Sequence, residues 1–452
     1  MSAPPNTPLL AYYGDDFTGS TDVMEALSLA GVETALFLEP PSAAQLARFP
    51  SARAFGVAGG SRTMSPAQMR RALPEAFEAL KRSGAPMVHY KICSTFDSSP
   101  EVGSIGLATE LGRAVFGPGP TPMVVGAPPL GRHVVFGNLF ARSGLDSEPH
   151  RLDRHPTMRR HPVTPMRESD LRRVLARQTK LPVALVDVLR LDAEAGGGES
   201  AKPRGRLIDE QFDGVVLFDT LRGEHLAVIG RALAEMGGDR PRFVVGSSGV
   251  EYALAAHWGA GGPARAGGGF KPEPSQVLCV SGSCSPVTDR QIAFGVSHGF
   301  VQVAAPIGGL MDADGVKELA SKSEAALKGR QGVVIHTSRG VDDPRHDASM
   351  PQWEKERLGR GMGRLLGALL RRTGLRRAVV CGGDTSTWVA RALGIEALEY
   401  LGPMAPGSPL CRVHAPGRVA DGREIIFKGG QVGRDRFFLD ALAGKPGDGG
   451  TD

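Results

Sequence analysis

Apolar and polar positions follow two rhythms along this chain. Apolar runs of four or five residues that stop at glycine or at a charged side chain read as buried strands, and between them apolar residues recur three and four apart, as on amphipathic helices. The first run, Leu9-Leu-Ala-Tyr-Tyr13, stops at Gly14-Asp-Asp-Phe-Thr-Gly-Ser-Thr-Asp22, after which Val23, Met24, Ala26, Leu27 and Ala30 take helical spacing. Further strands are expected at residues 34–38, 54–58, 87–91, 123–126, 183–186, 215–219 and 243–246, with helices over 66–82 and 169–178. A Gly- and Pro-rich stretch at 259–275 interrupts the rhythm, which resumes with strands at 276–280, 301–304, 333–337 and 378–381 and a helix over 387–393. Strand, loop and helix in repetition predict an α/β fold of two domains, each a largely parallel sheet flanked by helices, with the active site in the interdomain cleft. The expected boundaries are 1–258 for the first domain, 259–275 for the linker, 276–445 for the second domain and 446–452 for a disordered tail.

Composition narrows this picture. At 452 residues and 41% apolar content the chain can fill two sizeable cores. No stretch nears the ~20 apolar residues of a membrane span. The first eight residues have neither a basic nor an apolar region of a secretion signal, so a cytoplasmic protein is expected. The net charge of +5 is spread over many segments and aromatics are only 6%, which argues against nucleic acid and suits small anionic ligands. Five scattered cysteines without a CxxC pair indicate neither a disulfide framework nor a structural zinc site.

Candidate chemistry collects where strands end, the edge at which open α/β sheets bind ligands. Asp15 and Asp16 follow the first strand, Arg62 the third, and Lys91 with Ser94 and Thr95 the fourth. Asp16, Thr18 or Ser20 can also serve as a helix cap, but six polar side chains crowd the eight positions 15–22. A guanidinium fork for a carboxylate, a lysine charge, hydroxyls and paired carboxylates together describe a site for a small polyhydroxylated acid. The His-, Arg- and Pro-rich stretch 131–166 fits no metal-binding spacing and reads as a loop or β-flap closing over the ligand. The turn Gly246-Ser-Ser-Gly249 suits either an anion or tight packing. In the second domain three loops rich in glycine and hydroxyls follow strands, and such loops turn backbone N–H groups toward phosphate. Neither a Walker motif nor GxGxxG is present. Nucleotide in the second domain and acceptor in the first is the expected division.

Six motifs, in order along the chain, resemble the four-carbon acid sugar kinases: Gly14-Asp-Asp-Phe-Thr-Gly19, Lys91-Ile-Cys-Ser-Thr-Phe-Asp-Ser-Ser99, Pro162-Val-Thr-Pro-Met166, Ser281-Gly-Ser-Cys-Ser285, Gly382-Gly-Asp-Thr-Ser386 and Lys428-Gly-Gly-Gln-Val-Gly433. The resemblance implies an N-terminal acid-sugar-binding domain, a C-terminal ATP-binding domain and ATP-dependent phosphorylation of a terminal hydroxyl on a sugar acid. By the same resemblance Asp16, Arg62, Lys91, Cys93, Ser94 and Thr95 contact the acid, and Ser283 or Ser285, Gly382, Gly383, Asp384, Thr385 and Gly430 contact ATP. Asp16, or failing it Asp15, is expected to orient or deprotonate the hydroxyl, and Asp384 to hold Mg²⁺ through water. Tyr13-Gly14 before the aspartates and the stretch 151–161 look like the branch acting on 3-oxo-isoapionate, the expected acceptor, with 3-oxo-tetronate, D-threonate and D-erythronate as alternatives. A non-catalytic sensor of sugar acid and nucleotide is the rival class. The partners implied are the acid and ATP, with no nucleic acid and no membrane, and a homodimer is allowed.

Overall fold

The computed structural model describes residues 8–143, 147–161, 163–196, 206–237, 240–259, 276–340, 342–345, 347 and 349–446. The chain divides into two compact units, one of residues 1–34 and 39–264, the other of residues 35–38 and 265–452. All but residue 259 of the expected linker, and all but residue 446 of the expected tail, lie outside the described residues.

The strands up to residue 246 are β1 (Leu10–Gly14), β2 (Thr34–Phe37), β3 (Ala54–Ala58), β4 (Met87–Lys91), β5 (Thr121–Val124), β6 (Arg132–Val135), β7 (Asn138–Arg142), β8 (Pro149–Arg151), β9 (Val183–Val186), β10 (Val215–Phe218) and β11 (Arg242–Gly246). In the first unit they form a parallel sheet in the order β3-β1-β4-β11-β5-β10-β9. Both faces of β1 are covered, so it is apolar without alternation and buried throughout. Its two tyrosines point to opposite faces. Each lies over a glycine of the β3 region: a Cβ at Gly56 would overlap the Tyr12 ring, and one at Gly59 the Tyr13 ring. The Tyr12 hydroxyl donates to the Ser20 carbonyl at 3.0 Å, tying β1 to the helix Phe17–Leu29. Tyr13 stacks on Tyr90, with centroids 6.1 Å apart, and meets Phe77 of the helix Pro66–Arg82 edge-on.

The chain leaves β1 toward β3 and then crosses to β4 on the other side. The loops at the carboxyl ends of β1 and β4 therefore diverge and open a crevice, the switch point of the sheet. Beneath it, His89 of β4 is fully buried between the Glu251 carboxylate, 2.6 Å from Nδ1, and the Gly246 carbonyl, 3.0 Å from Nε2. The expected flap is a separate antiparallel sheet, β6-β7-β8. Its histidines organise turns, with His155 Nδ1 accepting from the Thr157 and Met158 amides and His161 Nδ1 from that of Thr164.

The second unit adds β12 (Val277–Ser281), β13 (Phe300–Ala304), β14 (Gly332–His336), β15 (Arg377–Cys381), β16 (Ala397–Ala405), β17 (Ser408–His414) and β18 (Glu424–Lys428). Five are parallel in the order β13-β14-β12-β15-β18, and β17, β16 and β2 continue antiparallel. Here the order reverses between β12 and β15. The pair Phe437 and Phe438 opens a final helix, Phe437–Ala443, that packs into the core with Phe300 and Ile292.

Three features depart from the sequence expectation. Residues 35–38 pair with β16 and so belong to the second unit, although β1 before them and β3 after them belong to the first. The hairpin β16-β17 is hidden in sequence by Pro403, Pro406 and Pro409, and its register shifts near Gly402 are the irregularities through which prolines enter a strand. The helix expected over 169–178 is only Leu171–Ala176, capped by Asp170.

The His89 and Glu251 pair predicts a stability effect. Glu251→Ala leaves a buried ring without its partner and is expected to cost roughly 3–5 kcal/mol in urea denaturation. A cost below ~1 kcal/mol would show that the pair is not what holds β4 to the helix Gly249–His257.

Candidate functional site

The backbone ladder of the first sheet runs on past its strand ends and sets the polar residues side by side. The Asp15 amide donates to the Lys91 carbonyl at 2.8 Å, and the Arg62 amide to the Asp15 carbonyl at 3.0 Å. Asp16 caps the helix Phe17–Leu29, its Oδ1 accepting from the Gly19 amide at 2.7 Å. Its Oδ2 accepts from Arg62 Nη1 at 2.6 Å. Capping and site chemistry thus occupy the two oxygens of one carboxylate.

Arg62 grips Asp15 at the same time, with Nη2 to Oδ1 at 2.7 Å and Nε to Oδ2 at 3.1 Å. Three of its five N–H groups are spent on aspartates, so the fork expected to be open is closed on the protein's own carboxylates. Burial pushes the Asp15 carboxyl above its ordinary range despite the opposing charge of Arg62, and Asp16 adds to the rise. Lys91 is buried at the crevice floor, 3.5 Å from Asp22. Burial works against its charge, but Asp22, Asp15 and Asp16 outweigh it and hold the ammonium above its ordinary value. Gly19 closes the group: a Cβ there would lie 2.6 Å from Asp16 Oδ1, 3.2 Å from Lys91 Nζ and 3.6 Å from Arg62 Nη2.

The loop after β4 is strained. Phe96 is fully buried with φ at 60°, a conformation that a bulky side chain adopts only when its surroundings impose it. Around it Cys93 Sγ and Thr95 Oγ1 are 3.0 Å apart, and Thr95 donates to Asp97 at 2.7 Å. Burial, with Asp97 nearby, pushes the Cys93 thiol up to about 11, so it is protonated at neutral pH. Ser94 is half-buried on the same loop.

In the second unit the loops after β12, β15 and β18 are neighbours, because those strands are. Gly382, with φ at 114°, makes the turn into the helix Gly383–Ala392, whose first N–H groups have no side-chain cap. Such a helix start receives phosphate. Ser285 caps the helix Pro286–Ser297, and Ser283 accepts from the Ser285 amide at 3.2 Å. A Cβ at Gly430 would lie 2.6 Å from Ser283 Oγ. Asp384 is exposed in the first turn of the helix Gly383–Ala392, alongside Thr385. Among the described residues no group of three or more His, Cys, Asp or Glu could hold a metal ion.

Comparison with known proteins decides the family. A sugar-binding N-terminal domain family matches residues 10–254 and a nucleotide-binding C-terminal domain family matches residues 278–438. A 3-oxo-isoapionate kinase of Paraburkholderia graminis is 44% identical over 95% of this chain and 93% of its own length. The chain belongs to the four-carbon acid sugar kinase family. A 3-oxo-tetronate kinase of Methylobacterium radiotolerans is 33% identical over 96% of this chain and 98% of its own. Among solved structures, a Haemophilus influenzae protein, 22% identical, shares the fold with a TM-score of 0.69 over 95% of this chain and 98% of its own.

As a sugar-acid kinase the protein uses a sugar acid and ATP, and no described helix is long and apolar enough to cross a membrane. Asp15, Asp16, Arg62 and Lys91 meet in one cluster of this kinase, with Cys93, Ser94 and Thr95 on the adjoining loop; Ser283, Ser285, Gly382, Gly383, Asp384, Thr385 and Gly430 lie on the three neighbouring loops of the other unit. Sequence reasoning passed over two residues. Asp22 lies one helical turn beyond Thr18, pairs with Lys91 and accepts from the Ser248 hydroxyl, so the Gly246–Gly249 turn ties into the same charged cluster. Lys428 is fully buried, its Nζ 3.2 Å from Thr288 Oγ1 and 3.0 Å from the Gly429 carbonyl, and burial lowers its ordinary value. Both lysines were signalled alike, as a charge ending an apolar strand.

Two predictions follow from this geometry. Asp16→Asn keeps a capping oxygen and is expected to leave stability within a few tenths of a kcal/mol in its capping contribution, whereas Asp16→Ala loses about 1 kcal/mol more; thermal unfolding of the two variants compares them. The second concerns His336, buried at the end of β14, where burial and then the Arg345 and Arg339 charges lower it from 6.5 to about 4. Between those values the unfolded chain binds a proton that the folded chain refuses, so stability falls as pH drops from 6.5 toward 4. His336→Gln is expected to remove on the order of 3 kcal/mol of that fall, read as a smaller shift in urea midpoint between pH 7.5 and pH 4.5.

Proposed function

We propose that the protein transfers the γ-phosphoryl group of ATP to a terminal hydroxyl of 3-oxo-isoapionate. The 44% identity to a 3-oxo-isoapionate kinase over nearly the whole chain carries the choice of acceptor. Tyr13-Gly14 and the stretch 151–161 support it. Identity of 33% to a 3-oxo-tetronate kinase makes 3-oxo-tetronate the second reading, with threonate and erythronate behind it.

Phosphoryl transfer asks a protein mainly for positioning and charge stabilisation. Asp16, with 27% of its side chain exposed against 3% for Asp15, is the carboxylate a hydroxyl can reach. It orients the acceptor oxygen and takes its proton, while Arg62 fixes both aspartates and Lys91 supplies positive charge beneath. Ser94 and Thr95 exchange hydrogen bonds with the acid's hydroxyls, and Cys93, as a neutral thiol, shapes the wall. In the other unit the uncapped start of the helix Gly383–Ala392, the Ser283 and Ser285 loop and Gly430 receive the phosphates, with the buried Lys428 charge behind them. Mg²⁺, when bound, neutralises phosphate charge, and Asp384, exposed in the first turn of that helix, would hold it through water. Exclusion of water at the moment of transfer limits hydrolysis of ATP. Dependence on ATP supports a cytoplasmic place of work, and a homodimer is compatible with this reading.

The test is ADP release with ATP and Mg²⁺ across 3-oxo-isoapionate, 3-oxo-tetronate, D- and L-threonate and D-erythronate. Turnover of 3-oxo-isoapionate at the highest kcat/KM is expected; preference for another acid replaces the acceptor, and silence with all of them, in a folded protein that binds ATP, favours a sensor. Asp16→Asn is expected to lower kcat about 100-fold or more with the preferred acid. An unchanged kcat would remove Asp16 from the role of base.

A further inference from the structure

We propose that Arg132, on β6 of the flap, binds the carboxylate of the sugar acid, the role the sequence points to in Arg62. This rests on the sugar-acid reading above and names the residue that recognises the acid group. Arg62 is engaged by Asp15 and Asp16 through three N–H groups, and Lys91 pairs with Asp22. Each of those cations already answers a carboxylate of the protein.

Arg132 does not. Its Nη1 donates to backbone carbonyls only, those of Leu130 at 2.9 Å, Gly131 at 3.4 Å and Arg142 at 3.2 Å. Its Nε is buried and has no hydrogen-bond partner among the described residues. Burial lowers Arg132 from its ordinary value, and the carboxylates of Asp97, on the loop after β4, and Asp22, on the first helix, oppose that in part; both border the acceptor cluster. A guanidinium taken from water without an anion is costly, and an incoming carboxylate repays that cost through two parallel N–H bonds.

The flap strand is held in place rather than free to swing. The Val134 and Thr220 backbones exchange hydrogen bonds at 3.1 and 2.9 Å. The buried Asp219 carboxylate accepts from the Phe136 amide at 2.6 Å and the Gly137 amide at 2.8 Å, and also from that of Val188 at 2.9 Å. Arg132 is therefore presented at a fixed position, as a recognition group requires. The acid also approaches Asp15, Asp16, Asp22 and Asp97, so an unspent cation is what allows a carboxylate to enter at all.

The experiment compares Arg132→Gln, Arg132→Lys and the wild type by calorimetric binding and steady-state kinetics, using the preferred acid of the panel and its uncharged methyl ester. For Arg132→Gln, Kd and KM for the acid are expected to rise about 10- to 100-fold, the scale of a lost charge-assisted pair, with kcat within about threefold and the ester unaffected. Arg132→Lys keeps the charge without the fork and is expected to recover part of the loss. Unchanged acid affinity, or an equal loss for acid and ester, overturns the proposal. Calorimetry reads acid binding even if no acid is turned over, so failure of the kinase reading and failure of the Arg132 assignment give different results. If Arg132→Gln does not fold, Arg132→Lys carries the same comparison of acid with ester.

Discussion

The first unit depends on one guanidinium closing over two carboxylates. Asp15 and Asp16 are adjacent in sequence at the end of β1, and two carboxylates so placed repel unless a cation lies between them. Arg62 comes from the end of β3, the neighbouring strand, and bonds both. Because the Arg62 amide also donates to the Asp15 carbonyl, the ion triad and the backbone ladder reinforce one geometry. Lys91 reaches the same point from β4 on the other side. Three loops that would otherwise diverge at a switch point are fixed by charge, and the helix capped by Asp16 starts where that charge is balanced.

A lysine ending an apolar strand occurs twice, and its surroundings give it opposite meanings. Lys91 sits among Asp15, Asp16 and Asp22 and is held charged by them. Lys428 meets a hydroxyl, a carbonyl and the face of Phe437 at 5.5 Å, with no carboxylate in an ion pair with it among the described residues. The first environment spends its cations on the protein's own carboxylates and offers hydrogen-bonding groups to a polyhydroxylated ligand. The second holds a charge in want of anions beside a bare helix start, and suits a chain of phosphates. On the proposed function, the division of labour between the two units is electrostatic before it is a matter of shape.

Much of this was legible in the sequence because parallel strands buried on both faces are short, apolar and sharply ended. The strands Ala54–Ala58, Met87–Lys91 and Val183–Val186 and the helix Pro66–Arg82 fall where the pattern placed them. The ends of β1, β3 and β4 carry Asp15, Asp16, Arg62 and Lys91, which the structure brings into one cluster. What stayed hidden depends on pairing across long separations. Nothing in residues 34–38 says that they leave their neighbours for β16, some 360 positions on. A prolyl-rich hairpin reads as a loop. Phe96 shows no trace in sequence of its left-handed backbone, since only the packing around it imposes that conformation.

Arg62 shows most clearly where residue type stops informing. An arginine at a strand end beside a small-acid site reads as a carboxylate receptor, and that reading is chemically sound. Yet an arginine within reach of two fixed carboxylates binds them before any ligand arrives, because they are present at an effective concentration no metabolite matches. On the proposal made for Arg132, which arginine remains for the ligand is decided by which one has no carboxylate partner among the described residues. That is a property of the whole constellation: Arg132 stands out only once the partners of Arg62, Lys91, Asp22 and Asp97 have all been assigned. On that proposal recognition follows from hydrogen-bond accounting among the described residues, and a sequence, which lists donors and acceptors without their pairing, does not contain that remainder.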